Sequence, residues 1–209
     1  MNVKLIAVAI ASVALGGLAA VAVFGPGSMT SGSTKGRVAA SGEVVSSGKA
    51  LIGGPFTLTD HTGKRVTDKD FLGHNMLVFF GFTYCPDICP SGLAVIAAAL
   101  NNLGSDADKI TPILITIDPE RDTPQKLGEY VKSFHPRLVG LTGSKEEIAA
   151  VIKAYRVYAK KVTDERDPAS YTMDHSSIAY LMGPDGAYRA FFPEINKPDL
   201  LTAQIKKAL

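Results

Sequence analysis

Hydrophobic positions change character along the chain. Leu5 to Phe24 is apolar or small throughout and carries no charged group, and at 1.5 Å per residue such a stretch reaches about 30 Å, one hydrocarbon core. Residues 1–24 are therefore expected to form a membrane anchor. The alternative is a cleaved signal peptide, because Ala20-Val21-Ala22 fits a small-x-small cleavage pattern. Residues 25–49 are rich in Gly, Ser, Thr and Ala with little that could pack, which reads as a flexible linker. From residue 50 to 209, short apolar runs alternate with polar segments, the pattern of one folded domain.

Within that domain, Phe56 to Val66 alternates around Gly63 and predicts a β-hairpin. Met76 to Phe82 and Ile110 to Ile117 are continuous apolar runs, the signature of strands covered on both faces. Pro90 and Ser91 predict a helix start, with Leu93, Ile96, Ala97 and Leu100 on one face and Gly104 as the stop. Pro124 opens a helix to about Phe134, Leu138 to Leu141 reads as a short strand, and Ser144 with Glu147 forms a capping box ahead of a helix through Ala154. Val157 to Val162 reads as a strand. Thr163 to Ser170, with four charges and a proline, reads as an exposed loop. Ser177 to Met182 and Ala187 to Phe192 pair around Pro184-Asp185-Gly186, and Pro198 opens a final helix to Leu209. This order implies an α/β fold with a central mixed β-sheet flanked by helices and an N-terminal β-hairpin extension.

Composition narrows the function. The 209 residues have a formal net charge of +2, so there is no basic field for a phosphate backbone and nucleic acid is not an expected partner. The two cysteines, Cys85 and Cys89, lie together in Gly81-Phe82-Thr83-Tyr84-Cys85-Pro86-Asp87-Ile88-Cys89-Pro90, which excludes a disulfide scaffold. Spaced i and i+4, they sit on one side of a helical turn, and two chemistries stay open: redox exchange and soft-metal binding. The amino end of the following helix is expected to favour thiolates through its dipole. In open α/β sheets, chemistry gathers beyond the carboxyl ends of the strands, where Asp118 also falls. Asp118 either approaches that pocket, in an outer-shell or docking role, or caps the turn after its strand. Asp87, between the cysteines, faces solvent or a partner. His61, His74 and His135 read as solvated or capping residues. His175, in Tyr171-Thr172-Met173-Asp174-His175-Ser176-Ser177, is a loop histidine that spacing cannot place. Met173 reads as a packing residue that could also serve as a weak soft ligand.

The cysteine stretch, together with Ile117-Asp118-Pro119-Glu120-Arg121-Asp122-Thr123-Pro124, Asp174-His175-Ser176-Ser177 and Gly183-Pro184-Asp185-Gly186, closely resembles the Sco/SenC family over residues 50 to 209. These are membrane-anchored, thioredoxin-like copper proteins required for cytochrome c oxidase assembly. The resemblance implies a thioredoxin-like fold, copper as Cu(I) or Cu(II), and Cys85, Cys89 and His175 as its ligands. It implies as partners the copper-site subunit of the oxidase, an upstream copper donor protein, and the membrane through the N-terminal helix. The expected location is the bacterial inner membrane with the domain in the periplasm, or else the mitochondrial inner membrane facing the intermembrane space. Zinc accepts the same donor set, so the preference for copper rests on the resemblance.

The leading expectation is a copper metallochaperone that delivers copper to the dinuclear centre of the oxidase. The alternative is a thiol-disulfide oxidoreductase acting on the oxidase cysteines, with Cys85 and Cys89 as its redox pair. The three-residue spacer Pro86-Asp87-Ile88 and the late loop Asp174-His175-Ser176 differ from the usual reductase pattern. A peroxidase is a third reading, and it would need Arg121 to approach Cys85 in space.

Overall fold

The computed structural model describes residues 52–164, 167–193 and 195–209. The anchor expected at 1–24 and the linker at 25–49 lie outside the described residues. The chain begins with a hairpin, β1 (Thr57–Asp60) and β2 (Arg65–Thr67). Its turn is closed by the Asp60 carboxylate, which accepts from the backbone N–H of Thr62 at 2.8 Å and of Lys64 at 3.0 Å. Gly63 supplies the left-handed φ of +91° that the turn requires.

β3 (Asn75–Gly81) and β4 (Ile110–Thr116) run parallel at the centre of a seven-stranded sheet. β5 (Val139–Thr142) lies parallel to β4, and β8 (Ala179–Met182) and β9 (Tyr188–Phe192) add an antiparallel pair beside β3. The order across the sheet is β2-β1-β5-β4-β3-β8-β9. The hairpin thus extends the sheet by pairing β1 antiparallel to β5.

The near-continuous apolar character of β3 follows from cover on both faces. Phe79 packs under Gly92 of α1 (Ile88–Leu103), while Phe80 meets the Tyr155 ring at the end of α3 (Lys145–Ala154), with centroids 5.3 Å apart. α4 (Pro198–Ala208) lies beside α1, and α2 (Pro124–Lys132) packs on β5 through Leu127 and Val131. Ser144 and Glu147 form the expected capping box, each side chain accepting from the other's backbone N–H. Gly186, at φ +75°, closes the β8–β9 turn.

Two expectations need correction. The cysteine helix starts at Ile88, two residues before Pro90, so Cys89 lies in its first turn and Pro90 in the part of the helix where a missing N–H leaves no bond unmade. The strand expected at Val157 to Val162 is present as β6 (Ala159–Asp164), but the exposed loop expected at Thr163 to Ser170 is largely strand, shared between β6 and β7 (Asp167–His175), which form a two-stranded ribbon separate from the main sheet. β7 reads Asp167-Pro168-Ala169-Ser170-Tyr171-Thr172-Met173-Asp174-His175, a largely polar stretch with no apolar run to mark it as a strand. Main-chain pairing across the ribbon, from Ala159 opposite His175 to Thr163 opposite Tyr171, makes the strands in spite of that. His175 accordingly ends a strand and does not lie in a loop.

Candidate metal centre

The loop after β3 is built on Asp122. This fully buried carboxylate accepts from the Thr83 backbone at 3.0 Å, the Thr83 hydroxyl at 2.6 Å and the Thr116 hydroxyl at 2.6 Å. Its own carbonyl accepts from Thr142 Oγ1 at 2.9 Å. One aspartate therefore ties the cysteine loop to the ends of β4 and β5. Burial raises its pKa, and the three donors oppose that rise. Nothing in the sequence separates Asp122 from the other loop acids, and its role went unseen there.

Beyond Thr83 the backbone turns, Cys85 N–H donating to the Phe82 carbonyl at 3.3 Å, and α1 begins. Cys85 Sγ accepts from the Cys89 N–H at 3.3 Å, so a sulfur does at this helix end what a hydroxyl does at most. Both cysteines are free thiols; Cys89 is fully buried, while Cys85 keeps 8 % exposure. Gly81 makes room for them, since a Cβ there would stand 3.1 Å from Cys89 Sγ.

The end of β7 brings the third donor. His175 lies with its ring edge-on to Phe82, centroids 5.8 Å apart, and its Nε2 is 3.4 Å from Cys89 Sγ. Its Nδ1 is 3.0 Å from the Ser176 carbonyl, a group that only accepts, so the proton sits on Nδ1 and the Nε2 lone pair faces the thiols. Burial lowers the His175 pKa, which keeps the ring neutral at pH 7. Burial pushes the Cys89 thiol well above its ordinary value, with the hydrogen bond from Cys85 adding to the rise. At Cys89, then, burial opposes the thiolate that the helix dipole was expected to favour.

The donor atoms of Cys85, Cys89 and His175 lie within 4.8 Å of one another. A metal bonded to two sulfurs at about 2.3 Å and a nitrogen at about 2.0 Å bridges donors up to about 4.3–4.6 Å apart, so a small side-chain adjustment closes the group around it. The set is two soft donors and one borderline donor, with the imidazole already oriented through its far nitrogen.

The remaining candidates fall elsewhere. Asp118 is buried but is not among the converging donors: it accepts from the Tyr171 hydroxyl at 2.9 Å and is paired with Arg121 Nε. It does not cap the turn after β4 through its side chain either; that turn is closed by main-chain bonds to the Asp118 carbonyl from Arg121 and Asp122. The Arg121 guanidinium stacks 4.6 Å from the Tyr84 ring centroid, but its Nε and Nη1 are committed to Asp118 and the Tyr171 carbonyl. Asp87 is exposed at the start of α1, bonded by Ser91 Oγ at 3.3 Å. Met173 lines a hollow of about 210 Å³ with Ile117, Ile148 and Ile152. His61 Nδ1 accepts from Gly140 N–H and His135 Nδ1 from Arg137 N–H, both at 3.1 Å, and His74 is exposed.

Residues 44–209 match the family model described as SCO1/SenC. The chain belongs to the SCO1/SenC family. It is 46% identical over 160 residues to the human mitochondrial protein SCO1 homolog, covering 76% of this chain and 53% of that one. It is 40% identical over 169 residues to protein SenC of Rhodobacter capsulatus, covering 81% of this chain and 76% of SenC. Among solved structures, copper-bound ScoI of Bradyrhizobium japonicum is 49% identical with a TM-score of 0.69, over 76% of this chain and 99% of ScoI. The chain spans about half the length of the mitochondrial SCO1 relatives from human, Arabidopsis and mouse. The SCO1/SenC fold of residues 52–209 is thioredoxin-like, with the cysteine pair beyond the carboxyl end of β3.

Proposed function

We propose that this protein is a copper metallochaperone that holds copper between Cys85 Sγ, Cys89 Sγ and His175 Nε2 and delivers it to the dinuclear copper centre of cytochrome c oxidase. The observation that carries this reading is the convergence of those donors within 4.8 Å from segments of the chain far apart in sequence. Family membership and the copper-bound ScoI relative support copper over zinc. Copper as cargo would be held by two thiolates as Cu(I), with the imidazole also accommodating Cu(II).

The chain's own groups prepare that capture. Ser176 holds the His175 ring in one tautomer, so no rotation precedes binding. Both thiols must give up their protons as the metal enters, Cys89 the more reluctantly for its burial. Exposed Tyr84, Pro86, Asp87 and Ile88 surround Cys85 in sequence, so a partner's ligands reach the pair from that side. Residues 1–24 would anchor the domain and 25–49 would give it reach to a membrane-bound oxidase.

The reductase alternative is disfavoured by the same geometry. A reductase would attack through Cys85, which keeps 8% exposure, and resolve through the buried Cys89 with no need of an imidazole; the convergence of His175 Nε2 on the pair is what favours a metal.

Anaerobic titration of the reduced protein with Cu(I) tests the proposal: stoichiometric uptake is expected, lost in Cys85→Ser and Cys89→Ser. In His175→Ala, Cu(I) uptake is expected to persist while the thiolate-to-copper charge-transfer spectrum of the Cu(II) form changes. Turnover on a disulfide substrate that survives His175→Ala, without copper uptake by the wild type, would establish the reductase in its place.

A further inference from the structure

Among the described residues, the ribbon that presents His175 pairs with no strand of the central sheet, since β6 and β7 pair with each other in a sheet of their own. Something else must set its height over the cysteine loop. Side-chain ties reach it from the segment between β4 and α2. Arg121 Nη1 donates to the Tyr171 carbonyl at 2.9 Å, the Tyr171 hydroxyl donates to Asp118 Oδ1 at 2.9 Å, and Asp118 Oδ2 accepts from Arg121 Nε. The Arg121 guanidinium carbon also lies 3.7 Å from the Tyr171 ring centroid. These three residues close a ring of contacts with two anchor points on one residue of β7, its main chain and its side chain.

Tyr171 and His175 are four apart on one strand, so their side chains project from the same face. Fixing Tyr171 at both ends fixes the twist and height of that face, and with them the direction of the imidazole. The same cation lies 4.6 Å from the Tyr84 ring centroid and 5.8 Å from that of Phe82, the ring that His175 meets edge-on. A largely buried ion pair is weak evidence for stability, which leaves the geometry it specifies as the role to test. Asp118 has 3% of its side chain exposed and Arg121 19%.

We propose that Asp118, Arg121 and Tyr171 are positioning residues for His175: they hold the ribbon against the cysteine loop so that the imidazole meets the thiol pair, and thereby control the copper state that needs the imidazole. The proposal rests on the reading of the Cys85, Cys89 and His175 group as a copper site.

The test uses the full chain carrying Arg121→Lys, with Tyr171→Phe as a second variant that keeps the ring under the guanidinium and loses only the hydroxyl. A lysine cannot hold Asp118 and the Tyr171 carbonyl in the fixed fork of a guanidinium. Cu(I) uptake is expected to stay stoichiometric in both variants, while the charge-transfer spectrum of the Cu(II) form moves toward that of His175→Ala. In metal-free protein, amide exchange of the segment 170–176 is expected to speed up about tenfold with β3 and β4 unchanged. A wild-type Cu(II) spectrum in both folded variants overturns the proposal, whatever the exchange shows. So does a shifted spectrum with unchanged exchange, because the effect would then bypass the ribbon. If the wild type takes up no copper, the copper reading falls, and the exchange measurement still decides the positioning role without metal.

Discussion

Gly81 is the residue on which the donor group is most tightly seated. A methyl group there would stand 3.1 Å from Cys89 Sγ and 3.3 Å from Phe79 Cε1, both on fully enclosed side chains. Gly81→Ala is therefore expected to destabilise the protein by about 1–3 kcal/mol through overpacking. The measurement is a urea midpoint at unchanged slope, with weakened copper uptake in the same variant. A wild-type midpoint together with wild-type uptake would show that the thiol has slack. Tyr130 is the opposite case. Its hydroxyl is buried and has no hydrogen-bond partner among the described residues, while its ring packs against Phe134. Tyr130→Phe is expected to leave stability unchanged or raise it by up to about 1 kcal/mol, and a clear drop in melting temperature would reveal a hidden partner.

Among the elements, β3 and β4 were legible in the sequence because both faces are covered and the strands read as unbroken apolar runs. The capping box and the Pro184-Asp185-Gly186 turn were legible because their chemistry is local. The start of α1 was misplaced because Pro90 reads as a first helical residue, while the actual entry uses a sulfur acceptor, Cys85, that no capping rule anticipates. β6 was legible as the strand Val157 to Val162, but β7 escaped because its register depends on pairing with that strand and not on its own polar pattern, and with it went the position of His175. The site was thus half visible: the cysteines through spacing, the histidine through family resemblance alone.

The ribbon's second tie carries a pH dependence. Glu120 bridges Lys145 of α3 and Lys161 of β6, and those two hydrogen bonds pull its pKa down from 4.5 to about 2. A carboxylate depressed in the folded state contributes stability that is present above its unfolded value and is lost as pH falls through the folded one. The window is therefore from about pH 4.5 down to about pH 2. Acid unfolding of Glu120→Gln is expected to be flatter across that window, and salt is expected to weaken the wild-type slope because the bridge is exposed. Identical acid titrations of the two proteins would assign the slope to other groups.

At the scale of the molecule, the donors come from the loop and helix start that follow the central strand and from a ribbon outside the sheet, so a bound metal joins separate elements of the fold. A ligand that binds only the folded state raises stability by about 2.7 kcal/mol at a hundredfold excess over its Kd. Copper is therefore expected to raise the melting temperature of reduced protein, and a chelator to return it to the metal-free value. The increment is expected to vanish in Cys85→Ser; a rise that survives there would place the metal elsewhere.

The unequal cover of the two sulfurs makes the pair directional. Cys85 keeps 8% exposure at the end of the loop, while Cys89 is sealed and in contact with His175. A reagent arriving from solvent meets one sulfur as a front door and the other only after the first has yielded. Iodoacetamide should therefore modify Cys85 to completion before Cys89 reacts, an order that mass spectrometry of timed samples would show. If the pair carries copper as proposed, the same asymmetry would set a sequence for hand-off: an incoming thiolate would displace Cys85 first, and the Cys89 side, backed by the imidazole, would be the last to let go.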